Sequence, residues 1–260
     1  MDYTTLLTSD RGAVRTITIN RPDKLNALNR TVLIELEHAF AAAQASATVR
    51  IVILAGAGEK AFVAGADITE LAQLSPIEAQ AFSRLGQRLM RGIERLGKPV
   101  IARIQGFALG GGMELAMCCH LRIAGDKARF GQPEINLGVI PGFGGTQRLA
   151  RLAGRAAALE LCLVGAPVDA QRAHALGIVT RVVAADQLDA EVSALADQLA
   201  AAAPLALAGL LDAVLIGEDC ALDQALDYES QTFAVCFSTD DMREGTKAFL
   251  ERRKPVFAGR

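Results

Sequence analysis

Two glutamates stand out as groups able to move protons. Glu114 sits in the apolar run GGMELAM, directly behind the glycine triplet Gly110-Gly111-Gly112, and Glu134 follows 20 residues later in FGQPEINLG. Carboxylates carried by apolar sequence are costly to bury, and a site that needs both an acid and a base is one place where that cost is met. The triplet adds a second capability. It follows an expected strand and begins an expected helix, and the first amides of a helix have no partner within it. Partial positive charge gathers there, so a carbonyl oxygen that develops negative charge is stabilised in front of it. Glu114 is three residues after Gly111, on a similar helical face. The stretch Ala61–Asp67 (AFVAGAD) is a second turn into a helix with free amides. Two such turns supply the two donors of an oxyanion hole, although nothing in the spacing brings them together.

Each feature also has an ordinary explanation. The glycines serve a tight turn or close packing, Glu114 serves the helix dipole, and Glu134 is a solvated or helix-capping loop carboxylate. It is the two carboxylates together, in a glycine-rich and apolar setting, that favour a paired acid/base site.

Other chemistries find less support. The chain has 260 residues, 51% of them apolar, with 27 basic and 29 acidic side chains and a net charge of −2. That is enough for one large core, and it lacks the clustered positive charge of a nucleic-acid footprint. Trp is absent and Tyr occurs twice, a poor supply of stacking platforms. The cysteines, Cys118, Cys119, Cys162, Cys220 and Cys236, are odd in number and lack CxxC spacing. They read as small buried hydrophobes in a reducing compartment, not as a disulfide framework or a zinc site. There is no HExxH, no GxSxG and no GxGxxG between a strand and a helix, and no metal site is expected. Gly92–Lys98 spells GxxxxGK, but Pro99 stands where Ser or Thr belongs and the segment runs from helix to strand, so a P-loop is rejected. Gly97 is read as a helix C-cap. MDYTTLL has no basic region ahead of an apolar run, and the longest uncharged run, between Asp197 and Asp212, contains Pro204 and falls short of the ~18 residues of a spanning helix. A soluble cytoplasmic protein is the expectation.

The elements that must position these groups alternate. Strands are expected over Val14–Asn20, Arg50–Leu54, Pro99–Gln105, Leu121–Ala124, Ala128–Gly131 and Ile178–Val183. Helices are expected over Thr31–Ala45, Pro76–Leu96, Gly110–Met117, Gly142–Ala153, Arg155–Val164 and Ala170–Ala175. Gly56–Ala66 reads as a glycine-punctuated loop, and Asp67-Ile-Thr-Glu70 as a capping-box variant. After Asp186 only helices follow. This gives an α/β core over residues 1–200 and a helical region over residues 201–260, rich in Ala and Leu and suited to packing against another copy.

Long ordered motifs go further. NRPDKLNAL (20–28), GEKAFVAGADI (58–68), KPVIARIQGFALGGGMELAM (98–117), FGQPEINLGVIPGFGGTQRL (130–149) and TDDMREGTKAFLERRK (239–254) resemble the crotonase superfamily nearly end to end, most closely its enoyl-CoA hydratases. The resemblance implies a spiral of repeated ββα units, a C-terminal helical trimerisation region, and trimers that pair into hexamers. It implies a coenzyme A thioester whose carbonyl sits between the backbone amides of Ala66 and Gly111, with Glu114 and Glu134 as the catalytic pair and no metal or redox cofactor. Isomerases and hydrolases of the family often lack one glutamate, so retention of both favours hydration of a 2-enoyl-CoA in fatty-acid metabolism. Glu114 then holds and activates water while Glu134 handles the proton at C2, or the two share both tasks through coupled titration. CoA contacts are implied at Lys24, Ala27, Ala64, Ala66, Asp67, Ile68, Thr69 and Gly111, and at Phe249 and Arg252, which read equally well as core and surface residues of their helix. One departure is His120, where close relatives carry Asp; a structural role is expected for it. Two other readings are a double-bond isomerase or other acyl-CoA lyase on the same scaffold, and an RNA-binding member, which the charge balance and the intact glutamate pair disfavour.

Overall fold

The computed structural model describes residues 2–260. The chain opens with a hairpin, β1 (Leu6–Arg11) and β2 (Val14–Ile19), then α1 (Arg30–Ala45). Three ββα turns follow. The first is β3 (Ile51–Gly56), β4 (Ala61–Val63), the short α2 (Ile68–Leu71) and the long α3 (Pro76–Glu94). The second is β5 (Val100–Ile104), β6 (Phe107–Leu109) and α4 (Gly111–Met117). The third is β7 (Leu121–Gly125), β8 (Arg129–Gly131), a 3-10 turn over Pro133–Leu137 and α5 (Gly145–Val164). Then come β9 (Val168–Asp169), α6 (Ala170–Ala175), β10 (Arg181–Val183), α7 (Leu188–Ala200), α8 (Pro204–Gly217), α9 (Leu222–Cys236) and α10 (Asp240–Leu250).

The first strand of each turn enters a six-stranded sheet ordered β1-β2-β3-β5-β7-β10, and the second enters a four-stranded sheet ordered β4-β6-β8-β9. The three turns are stacked in parallel in both sheets, which makes the core the expected spiral. The middle of the larger sheet is covered on both faces, so β3 is apolar and buried along its whole length, not alternating. Along β3, Val52 and Leu54 join the large core with α1 and α3, while Ile51 and Ile53 meet Leu188, Val192 and Leu195 of α7. Glu35 ties the hairpin to α1, its carboxylate accepting from the amides and hydroxyls of Thr4 and Thr5.

Several local expectations need correction. Gly56–Ala66 holds a strand, β4; it and β6 are three residues each and sit among glycines, too short to show a period of two. The hairpin strand β1 also went unforeseen, because five of its six residues face solvent and are polar or mixed in type. Asp67 caps α2 through the Thr69 amide, but Glu70 does not turn back to complete a box; its carboxylate accepts from the Arg30 amide instead. The reciprocal box belongs to Ser75 and Glu78 at the start of α3. Gly97 has φ 71° but lies beyond the cap, which is Arg95. The break expected at Gly154 is present: α5 is two helical stretches that meet at this glycine, whose φ 80° and ψ 160° are not helical, although the first stretch starts at Gly145 and not at Gly142.

His120 has the structural role expected. Its Nδ1 accepts from the Val100 amide at 2.9 Å, which leaves the proton on Nε2, facing the Glu94 carbonyl at 3.0 Å. The neutral ring thereby joins the end of α3 to the start of β5, and burial lowers its basicity.

Candidate active site

The glycine triplet is where the second turn of the spiral meets the first and the third. A Cβ on Gly112 would fall inside the backbone carbonyl of Val63 in β4, so only glycine lets α4 approach that strand. Gly110 has φ 50°, and a Cβ there would lie 2.7 Å from Glu134 Oε1. A Cβ on Gly111 would lie 3.2 Å from the Phe143 ring and 3.5 Å from the Ala66 nitrogen. Close packing and chemistry are therefore both served. Three consecutive residues touch the first turn at β4, the first turn at Ala66, and the Glu134 carboxylate.

The Ala66 and Gly111 amides accordingly border one space. Gly111 is the first residue of α4 and its N–H has no helical partner. Ala66 is held by neighbours that leave its own N–H free: Leu28 donates to the Gly65 carbonyl at 2.9 Å and Asp67 donates to the Leu28 carbonyl at 2.8 Å. The strap from Arg21 to Leu28 is fixed in turn. Asn26, fully buried with φ 59°, accepts from the Arg21 amide and donates to the Ala57 and Ala61 carbonyls. The Arg21 guanidinium donates to the Ala27 carbonyl at 2.6 Å and to Asp67 Oδ2 at 2.9 Å. The Ala64 amide donates to the Leu25 carbonyl at 3.0 Å.

Glu114 is 1% exposed. Its Oε1 accepts from the Phe143 amide at 2.7 Å and the Gly145 amide at 2.6 Å, while Oε2 accepts no hydrogen bond from the described residues. Glu134 sits at the start of its 3-10 turn. In the amide orientation that the surrounding donors and acceptors require, the fully buried Gln132 places Nε2 3.0 Å from both Glu134 oxygens. Burial pushes Glu114 up to about 7, against the two amides and with help from the Glu134 charge. Burial pushes Glu134 up to about 7 as well. At neutral pH the pair therefore has both a proton to give and a site to receive one.

The structure thus gathers Ala66, Gly111, Glu114 and Glu134, with Ala27, Ala64 and Asp67 hydrogen-bonded alongside. Lys24 and Thr69 are exposed at the rim, and Ile68 is 50% exposed. Phe249 and Arg252 stand apart at the end of α10. Phe249 is 82% exposed, Arg252 has φ 54°, and among the described residues no hydrogen bond or ion pair joins either to these loops. Gln132, the Phe143 and Gly145 amides, Arg21 and Asn26 went unassigned in the sequence; GFGG marks a turn there, but not what the turn grips. Among the described residues no cluster of three or more His, Cys, Asp or Glu is arranged to hold a metal ion, and no single helix is long and apolar enough to cross a membrane.

Comparison with known proteins adds to this geometry. A family model described as enoyl-CoA hydratase/isomerase matches residues 9–260. The chain is 44% identical over 254 residues to the short-chain-enoyl-CoA hydratase of Clostridium acetobutylicum, covering 98% of this chain and 97% of that protein. It is 43% identical over 257 residues to the crotonyl-CoA hydratase of Syntrophomonas wolfei, covering 99% of each. A crystal structure of an enoyl-CoA hydratase subunit from Geobacillus kaustophilus superposes with a TM-score of 0.95 at 42% identity, covering 100% of both chains. The enoyl-CoA hydratase from Bacillus anthracis superposes at 0.96 with 37% identity, covering 99% of this chain and 100% of that one.

Proposed function

This chain belongs to the enoyl-CoA hydratase/isomerase family, and from that premise we infer that it is a hydro-lyase adding water reversibly to 2-trans-enoyl-CoA to give 3-hydroxyacyl-CoA. One observation carries the reading at the level of residues: a buried carboxyl, Glu114, and a half-buried one, Glu134, each raised to about 7, flank a space bordered by the Ala66 and Gly111 amides.

The thioester carbonyl lies between those two amides. Glu114, anchored through Oε1, takes a proton from water through Oε2 as the water oxygen bonds to C3. The electron pair of the C2=C3 bond shifts toward the carbonyl oxygen, where the amides oppose the growing charge. Glu134 then delivers its proton to C2. The net change adds OH to C3 and H to C2 and leaves the enzyme's proton on the other carboxyl. Charge stabilisation comes from the backbone and protons from the carboxyls, so a metal or redox cofactor has no step to perform. The CoA moiety runs along the strap at Lys24 and Ala27 and past Ala64, Asp67, Ile68 and Thr69, while Phe249 and Arg252, which stand apart from these loops within the chain, are proposed as further contacts from α10. Such hydration is a step of fatty-acid β-oxidation, and a cytoplasmic location goes with the five unpaired cysteines.

The reading is tested by incubating the protein with crotonyl-CoA and identifying the product. 3-Hydroxybutyryl-CoA is expected; conversion only of 3-enoyl substrates to 2-enoyl products would replace hydration with isomerisation. The two titrations predict a bell-shaped kcat/KM. Below about 7 the base is protonated, above it the acid is ionised, and both limbs report the free enzyme's coupled pair. A profile flat through neutrality contradicts the assignment.

Residues 201–260 serve as the oligomerisation region of the α/β core. Leu210, Val214 and Phe233 are exposed by 61%, 62% and 65%, and Phe249 and Leu250 by 82% and 81%, an apolar display that a second and third copy would cover. Sedimentation is expected to give a trimer or a dimer of trimers; a stable monomer would refute this.

A further inference from the structure

Glu114 is gripped by the turn from Gly142 to Gly145, and that turn is held from its far side by an ion pair that touches no reacting atom. Arg148, in the first turn of α5, folds back on the loop that precedes it. Its Nη1 donates at 2.9 Å to the Phe143 carbonyl, the group lying between the two amides that bind Glu114 Oε1. Its Nε and Nη2 donate to Glu94 Oε1 and Oε2 at 2.5 and 2.9 Å, a bidentate pair with side chains only 15% and 18% exposed. Gly144 has φ 107°, and a Cβ there would meet the Arg148 guanidinium, so the turn and the arginine fit each other. Glu94 is itself fixed, as the last residue of α3 with its carbonyl on His120 Nε2.

We propose that Arg148, oriented by Glu94, is a positioning residue for the reaction: it sets the Phe143–Gly145 turn so that both amides converge on Glu114, and it holds a positive charge directly behind that turn. The proposal rests on the hydratase reading for its kinetic arm only. Coulombic influence over this distance is appreciable because the intervening space is protein and not water. The ionisable groups facing Glu114 are Glu134 from the 3-10 turn, Arg148 from α5 and, further along α5, Cys162. The Cys162 thiol is raised by its burial and then by both carboxylates. Burial raises Glu114 and Glu134 adds to this; Arg148 opposes them. A guanidinium is suited to the task because its planar fork serves the carbonyl and the carboxylate at once and does not lose its proton.

Two variants pull the charge in opposite directions. Arg148→Gln removes the cation and leaves Glu94 behind, so the Glu114 midpoint and the acid limb of kcat/KM are expected to move to higher pH. Glu94→Gln keeps the cation and removes its counter-charge, so both are expected to move to lower pH. In Arg148→Gln kcat for crotonyl-CoA is expected to fall by about 10–10²-fold, as for a misplaced catalytic group, with KM within about two-fold. The Glu114 midpoint is read directly by infrared titration of the carboxyl band that disappears in Glu114→Gln. This readout needs no turnover, so failure of the hydratase reading and failure of this proposal are told apart. A Glu114 midpoint that is unmoved, or moves the same way in both variants, overturns the proposal. If Arg148→Gln does not fold, the direction of the shift in Glu94→Gln decides alone: downward supports, unmoved or upward overturns.

Discussion

Glu114→Gln and Glu134→Gln are each expected to lower kcat for crotonyl-CoA hydration by about 10²–10⁴-fold, the usual worth of a positioned acid or base. The substitution at 114 is a clean one. Oε1, which accepts from Phe143 and Gly145, is retained as the amide oxygen, and only the oxygen facing the reaction space becomes NH2. Shape and anchor survive while the capacity to take a proton is lost, so KM is expected to change little. Stability should move the opposite way from activity. A carboxyl whose folded pKa lies above its unfolded value binds more protons when folded. Its cost to the folded state is absent below the unfolded value of 4.5 and grows as pH rises to about 7. By pH 8 that cost is about 3 kcal/mol for Glu114. Glutamine removes it, so Glu114→Gln should raise Tm at pH 8 while nearly abolishing turnover. Near-normal turnover in both variants would remove the glutamates from the mechanism, and a lowered Tm with lost activity would point to misfolding.

The second large effect is expected at the backbone. Gly111→Pro deletes one of the two N–H groups proposed to face the thioester oxygen and is expected to cost about 10²–10³-fold in kcat. Proline is tolerated at the first position of a helix, which Gly111 occupies. The residue before it must leave the helical region, and Gly110 already has φ 50° and ψ −125°, the mirror image of an extended conformation that only glycine enters freely. The added Cβ meets the Phe143 ring at 3.2 Å, close enough that the ring must give by a few tenths of an ångström. Gly111→Ala carries the same Cβ but keeps the N–H, so comparing the two variants separates the Cβ contact from the replacement of that N–H by the proline Cδ. Equal kcat for Ala and Pro would show that the Gly111 amide does not bear on the transition state.

The long elements were legible because their periods are long enough to see. Pro76–Glu94 buries Phe82, Leu85, Leu89 and Ile93 at helical spacing, and the break at Gly154 was marked by its glycine. The second strand of the first two turns was harder. β4 and β6 have three residues each, and pairing between turns, not local pattern, makes them strands, whereas β8 was expected. In the site, the residues bearing carboxyls were visible by type. The partners that define them were not, because Glu114 is held by main-chain amides of Phe143 and Gly145, which leave no side-chain signature. Arg148 likewise sits in a motif legible as a motif, yet its contacts reach Glu94, distant along the chain. The pairing of Ala66 with Gly111 rests on the stacking of the first two turns.

The two kinds of equipment in this site are exposed to inheritance in different ways. The oxyanion donors proposed at Ala66 and Gly111 are peptide N–H groups, which every amino-acid substitution except one to proline preserves. The carboxyls are side chains on separate turns, and a single nucleotide change can erase either. Under drift the scaffold therefore keeps its hold on a thioester enolate, while the acid and the base are lost or relocated one at a time. A lineage descending from this chain would change its reaction long before it changed the chemical class of its substrate.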